Sequence, residues 1–356
     1  MKLLHNIYAA IIIFIVSLCL FGYGVFHYQI SGMMGKYKEK EVTIEKGSIS
    51  SIADTLKQEG LIRNTFFFKL YCKLYRKNSL KAATYQLNTH MGVEKIVEIL
   101  TKGKGINPNQ ISITFKEGFN MMKFIQIITS QTNIKEEDIT SILKNKEYLN
   151  SLIQDYWFLT DDILNDKIYY SLEGYLYPNT YFFDSKDVSI QDIIHTMLDE
   201  TKKQLSPYQE KIQQSKFNVH EVVTLASIVE LEGVHSEDRK GIASVFINRI
   251  NKKMTLGSDV TTYYGARINM GDRDLFASDV KECNSYNTRC ASFLGLPVSP
   301  IDNPSVDSIS AVLDPISSDY YYFVADKNKK VYFSKNISEH NSTINKLKKQ
   351  GLWFEY

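Results

Sequence analysis

The sequence predicts an α+β protein tethered by one N-terminal membrane helix. Three observations carry this. An uncharged apolar run, "IYAAIIIFIVSLCLFGYGVF", occupies residues 7–26. Short alternating strands and amphipathic helices succeed one another over residues 41–105. From residue 169 onward, phrases dense in Gly, Pro, Asn and aromatic residues alternate with helices. The composition is globular, 44% hydrophobic and 23% charged, and a net charge of +2 gives no electrostatic case for a nucleic-acid partner.

The first element is the apolar run. About twenty such residues match the thickness of a bilayer core. A buried core helix would carry a polar face, and this run has almost none. A cleaved signal would be followed by a small-x-small pattern, which does not appear. Leu18 stands where a lipid-attachment site at Cys19 would want a small residue. The run reads as a retained anchor. Charge does not orient it, because Lys2 precedes it while Lys36, Lys38 and Lys40 follow it.

A linker, "QISGMMGKYKEK", leads to a small module at 41–105. "EVTI" alternates as a strand does. Ser48 and Ser51 offer caps, and Ile52, Ala53 and Leu56 recur at helical spacing until Gly60. "NTFFFKLYCKLY" reads as a second helix, "LKAATYQLN" as a strand, and "GVEKIVEILTKGK" as a helix ending at Gly103. Residues 106–168 form a connecting α+β segment. It opens on "ISITFKEGFNMMKFIQIIT", again strand, glycine turn and amphipathic helix, but too short a match to be a repeat.

The region 169–356 holds the candidate chemistry. "NVHEVVTLASIVELEG" is a buried helix, with Asn218 and Glu221 as a capping box and Gly233 as its stop. Glu230 and Glu232 fall at its C-terminal end. The negative end of the helix dipole and the apolar neighbours both disfavour an anion there. An acid so placed tends to keep its proton, as a general acid must. Glu230 is the first candidate and Glu232 the second. The ordinary alternative is a solvated glutamate, or one paired with Arg239 or Arg249. Glu173 in "SLEGYLYP" is a third acid. Ser258 and Asp259 in "MTLGSDVTTYYG", and Tyr286 and Asn287 in "SYNT", are of the types that hydrogen-bond and stack on a sugar, or that simply make turns. Cys283 and Cys290 are close enough to bridge in an oxidising compartment, or are plain buried thiols; Cys19 and Cys72 read as structural. No zinc-like Cys/His spacing appears, so neither a metal nor another cofactor is expected.

The ordered phrases "LEGYLYPNTY" (172–181), "LASIVELEG" (225–233), "DRKGIASVFINRI" (238–250), "MTLGSDVTTYYG" (254–265), "SYNT" (285–288), "GLPVSPIDNP" (295–304), "DYYYFVAD" (319–326) and "FSKNISEHN" (333–341) resemble the endolytic murein transglycosylase, or YceG-like, family over nearly the whole chain. The module beginning "TIEKGSISSIADTLKQEGLI" resembles that family's LysM-like region. The resemblance implies a single-span inner-membrane protein, with residues 1–6 cytoplasmic and the catalytic domain, 169–356, facing the cell wall. It implies cleavage between N-acetylmuramic acid and N-acetylglucosamine within peptidoglycan strands, leaving 1,6-anhydro ends and limiting strand length. Cell-wall synthases are the partners it suggests. The family's catalytic glutamate falls in "ASIVELE", carried here to Glu230 ahead of Glu232. Departures are Val260 for a proline, Ser285 for a proline, Arg289 for a tyrosine, Val298 and Ser299 in "GLPVSPI", and "KKVY" in place of a phrase bearing a histidine before "FS". They bear on loop shape near the cleft. A glycan hydrolase with a second carboxylate, Glu173 or Asp259, and an inactive glycan-binding protein are the rival readings.

Overall fold

The computed structural model describes residues 2–353, apart from 78, 104, 106, 108 and 234. The chain divides into two compact units, Met1–Gln110 and Ile111–Tyr356.

The first unit begins with α1 (Lys2–Ile30). Its stretch Ile11–Ile30 is long and apolar enough to cross a membrane, and within it only Ile30, which joins the core of this unit, is buried. Then follow β1 (Glu39–Ile44), α2 (Ile49–Gln58), α3 (Thr65–Leu74), β2 (Ala83–Asn88) and α4 (Val93–Lys102). The order strand, helix, helix, strand, helix is the one the residue pattern gives. β1 and β2 pair antiparallel, with Glu39 opposite Asn88 and Ile44 opposite Ala83. Val42 and Ile44 alternate inward and meet Ile52, Ala53 and Leu56 of α2, Phe68 and Cys72 of α3, and Ile96 and Leu100 of α4. Ser48 Oγ caps α2 at the Ser51 amide, and Gly103, at φ 68°, ends α4 in the left-handed region that suits glycine.

The second unit is mostly helical. It contains β3 (Ile111–Thr114), α5 (Met121–Gln131), α6 (Glu136–Ile142), α7 (Lys146–Asp155), β4 (Thr180–Phe183), α8 (Ile190–Leu205) and α9 (Gln209–Gln214). After these come α10 (Val219–Glu232), α11 (Ser236–Asn251), α12 (Asp259–Gly265), α13 (Ala277–Lys281), α14 (Val306–Leu313), β5 (Tyr322–Ala325), β6 (Val331–Ser334) and α15 (Ile337–Lys349). β3 pairs antiparallel with β4, Ile111 opposite Phe183, and β5 with β6, Tyr322 opposite Ser334. The segment 106–168 and the region from 169 onward are therefore not separate bodies here: a strand of one supplies the partner of a strand of the other.

α10 is the centre of this unit. Asn218 Oδ1 accepts from the Glu221 amide at 2.8 Å, and Glu221 returns a bond to the Asn218 amide at 2.9 Å. Every residue from Val219 to Val229 other than Glu221 is buried. α14 and α11 pack along it. Truncating Leu225 or Ile228, both fully buried, to Ala would cost about 2–5 kcal/mol each by loss of contacts and the cavity left behind. A helix this enclosed presents its last turn as a rigid platform.

Candidate active site

Glu230 and Glu232 leave the last turn of α10 in different directions. Glu230 points to the N-terminus of α14. One carboxylate oxygen, Oε1, accepts from Arg239 Nη2 at 2.7 Å. The other, Oε2, accepts from the Ser305 amide at 3.0 Å, Ser305 Oγ at 2.6 Å and Ser308 Oγ at 2.7 Å. Its side chain is only 5% exposed. All four partners donate, one carries full positive charge, and a helix N-terminus adds partial positive charge. Every partner of this carboxyl is thus a donor. Arg239 also donates to the Gly233 carbonyl and to Asp307, tying the α10 terminus to α14.

Glu232 is half-buried and faces a cavity of about 580 Å3. Ser258 Oγ donates to its Oε1 at 2.6 Å, and Oε2 has no partner among the described residues. Burial pushes its carboxyl above the ordinary range, and the Asp259 anion adds to this; the Ser258 hydrogen bond and the Arg289 and Arg249 cations oppose it. The cavity is walled by α11 (Phe246, Arg249), the turn ending at Asp259, β5 from Tyr322, and α15 with His340. Arg249 is locked by the Tyr321 and Leu256 carbonyls, both at 2.6 Å, and stacks on the Tyr322 ring. The His340 ring lies tilted against the same ring, its Nδ1 is buried without a partner among the described residues, and desolvation with the nearby Arg249 charge holds its pKa down.

Ser258 and Asp259 thus sit beside Glu232. Asp259 forms an ion pair with Arg289, whose Nη2 lies 3.0 Å from Oδ2. Tyr286 and Asn287 do not reach the cavity as sugar contacts, because both are fully buried. The Tyr286 hydroxyl is shared between Ser299 Oγ and the Tyr169 amide, and its ring packs on Tyr169 and Tyr264. Asn287 Nδ2 donates to the carbonyls of Asp279, Val280 and Glu282. Both shape loops.

Glu173 is buried away from this cavity, at the start of α5. Both its oxygens accept from the Met121 amide at 3.0 Å, Tyr264 donates at 2.9 Å and Asn303 Nδ2 at 3.2 Å. Burial raises its pKa to about 8 against the Met121 and Tyr264 bonds. It braces the loops. Asn303 is their hub: its Oδ1 accepts from the Gly174 and Leu176 amides. Gly174 has φ 88°, and a Cβ there would lie 2.4 Å from Pro300. Asp302 is fully buried with both oxygens unpartnered; burial, then the Glu230 and Glu173 charges, push its pKa well up.

The sequence offers Arg239 as a partner for these glutamates, and it pairs with Glu230. Ser305 and Ser308 around Glu230, and His340 and Tyr322 across the cavity, carry no local mark that assigns their partners. Among the described residues no group of three or more His, Cys, Asp or Glu is placed to hold a metal.

The YceG-like family model matches residues 42–346. An endolytic murein transglycosylase of Bacillus subtilis strain 168 is 33% identical over 329 residues, covering 91% of this chain and 90% of that protein. One of Streptococcus pneumoniae strain D39 is 31% identical, and the match covers 95% of this chain but 65% of that longer protein. A crystal structure of a YceG-like protein from Listeria monocytogenes superposes with a TM-score of 0.61 at 36% identity, covering 86% of this chain and all of that one.

Proposed function

The chain belongs to the YceG-like family, and from that membership we propose that it is a membrane-tethered lytic murein transglycosylase in which Glu232 moves the proton. It cleaves peptidoglycan glycan strands, as the names of its relatives say of them. One observation carries the choice of residue. Glu232 is half-buried, opens on a cavity and has one oxygen without a partner among the described residues, whereas both oxygens of Glu230 are taken up by donors. Glu230, the first candidate by sequence, becomes the residue that fixes the α10 terminus.

The protonated Glu232 donates to the glycosidic oxygen between N-acetylmuramic acid and N-acetylglucosamine. Arg249 and Arg289 then face the carboxylate that forms and stabilise it. The C6 hydroxyl of the muramic sugar closes on C1, and ionised Glu232 takes its proton. The product is a 1,6-anhydro end, and ring closure within one sugar needs no water nucleophile. Ser258 holds the carboxyl in place through both steps. The uncharged run 7–26 of the N-terminal helix supports anchoring, and the resemblance supports a large unit on the cell-wall side, a LysM-like small unit that holds glycan, a limit on strand length, and synthase partners.

A second reading has support from one observation: Asp259 lines the same cavity as Glu232. A second carboxylate that activates water would give a hydrolase. Digestion of purified sacculi followed by mass spectrometry separates them, since anhydro ends mean transglycosylation and reducing ends mean hydrolysis. Glu232→Gln should stop either reaction. Full activity in that variant would overturn the assignment.

A further inference from the structure

We propose that a disulfide between Cys283 and Cys290 positions the Glu232 site, so that glycan cleavage reaches full rate only when this pair is oxidised. The proposal rests on the reading of Glu232 above. The two cysteines are bonded in the structure and enclose residues 284–289. Within that loop Thr288 is fully buried and carries the Glu232 cradle. Its Oγ1 accepts from the Ser258 amide at 3.1 Å and lies 2.8 Å from Thr261 Oγ1, and its carbonyl accepts from the Gly257 amide at 3.1 Å. Ser258 then donates to Glu232. Arg289, adjacent to Cys290, holds Asp259 from the other side. Two hydrogen bonds in series, Thr288 to Ser258 and Ser258 to Glu232, therefore join the disulfide-closed loop to the proton donor.

The loop has other ties, chiefly Asn287 on the α13 carbonyls. They fix its N-terminal half; in its C-terminal half Asn287 also accepts from the Arg289 and Cys290 amides, and the Thr288 amide donates to Thr261 Oγ1. Its C-terminal half, 288–290, bears on the cradle and is closed by Cys290. Cys283 is exposed and Cys290 is buried, so an outside thiolate reaches the Cys283 sulfur. Oxidation is balanced by thiol–disulfide exchange: two cysteine thiols and an external disulfide give the protein disulfide and two external thiols. The remaining cysteines, Cys19 and Cys72, are unpaired, so a reductant has one disulfide to act on. A chain still exposed to a reducing cytosol would be held at low activity, and one delivered to an oxidising wall compartment would gain full activity.

The test uses the full chain in detergent micelles, either air-oxidised, reduced with dithiothreitol, or reoxidised with oxidised glutathione. Thiol alkylation and intact mass report the redox state. Reduction should lower kcat on uncrosslinked glycan strands about five- to tenfold, as loss of one positioning contact does, with KM within about twofold. Reoxidation should restore it. The Cys283→Ser/Cys290→Ser double variant should match the reduced protein and ignore reductant. Hydrogen exchange gives a readout independent of turnover: the Gly257 and Ser258 amides should exchange about tenfold faster when reduced. Unchanged kcat and unchanged exchange at those amides would overturn the proposal. So would faster exchange throughout 111–356, which would make the pair a general staple. An oxidised protein that cuts no glycan would sink the functional reading instead, and the exchange result would still decide the positioning claim.

Discussion

The two carboxylates in the last turn of α10 are two residues apart and live in opposite environments. Glu230 is surrounded by donors from Arg239, Ser305 and Ser308. Glu232 has a single donor, Ser258, and an open cavity. A helix sets neighbours at this spacing about 200° apart, so one turn can serve two purposes. In the function proposed above, one acid holds the helix terminus in position, and the other works from that fixed point. A carboxylate that must change charge cannot be saturated with donors, and one that must not change charge is best placed against a helix N-terminus.

Breaking this contrast should have its largest effect at Glu232. Glu232→Gln is expected to lower kcat by about 10²–10⁴-fold, the usual contribution of a general acid, with an unchanged urea midpoint. Removal of Glu230's counterion should act on folding instead. Arg239→Met leaves a buried anion short of its charged partner and should cost about 3 kcal/mol in urea unfolding, in the manner of broken buried ion pairs. If Arg239→Met left stability intact and Glu232→Gln left turnover intact, the division of roles would be void.

Two milder substitutions sharpen the comparison through pH. The Ser258 hydroxyl favours ionised Glu232, so Ser258→Ala should move the alkaline limb of the kcat profile to higher pH. It should also lower the maximum about fivefold. Asp259 disfavours ionised Glu232, so Asp259→Asn should move that limb to lower pH. Shifts of the same sign in the two variants would exclude Glu232 as the titrating acid. The last effect concerns Asp302, which is fully buried and feels the Glu230 and Glu173 charges. The folded chain retains its proton above the pH, about 4, at which the unfolded chain releases it. Stability is therefore fully present below that pH and falls as pH rises. Asp302→Asn should flatten the decline of the urea midpoint as pH rises above about 4.

Local features were legible in the residues. The Asn218–Glu221 capping box, the uncharged N-terminal run and the strand–helix order of the first unit all depend on neighbours within a few positions. That "ASIVELE" closes a buried helix on two glutamates was legible too. Which of its glutamates faces the cavity was not, because Glu230 is claimed by residues 75 and 78 positions later. Tyr286 and Asn287 belong to the right loop, but their polar atoms are spent within the protein, a fact set by Ser299, Tyr169 and the α13 carbonyls. The pairing of Ile111–Thr114 with Thr180–Phe183 carries no local mark either.

That last pairing limits where the chain can be cut. A soluble fragment begun at residue 169, the boundary that motif density suggests, would strip β4 of its partner and leave a bare sheet edge inviting aggregation. It would also deprive Glu173 of the Met121 amide. The shortest secreted version expected to keep its shape starts no later than Ile111.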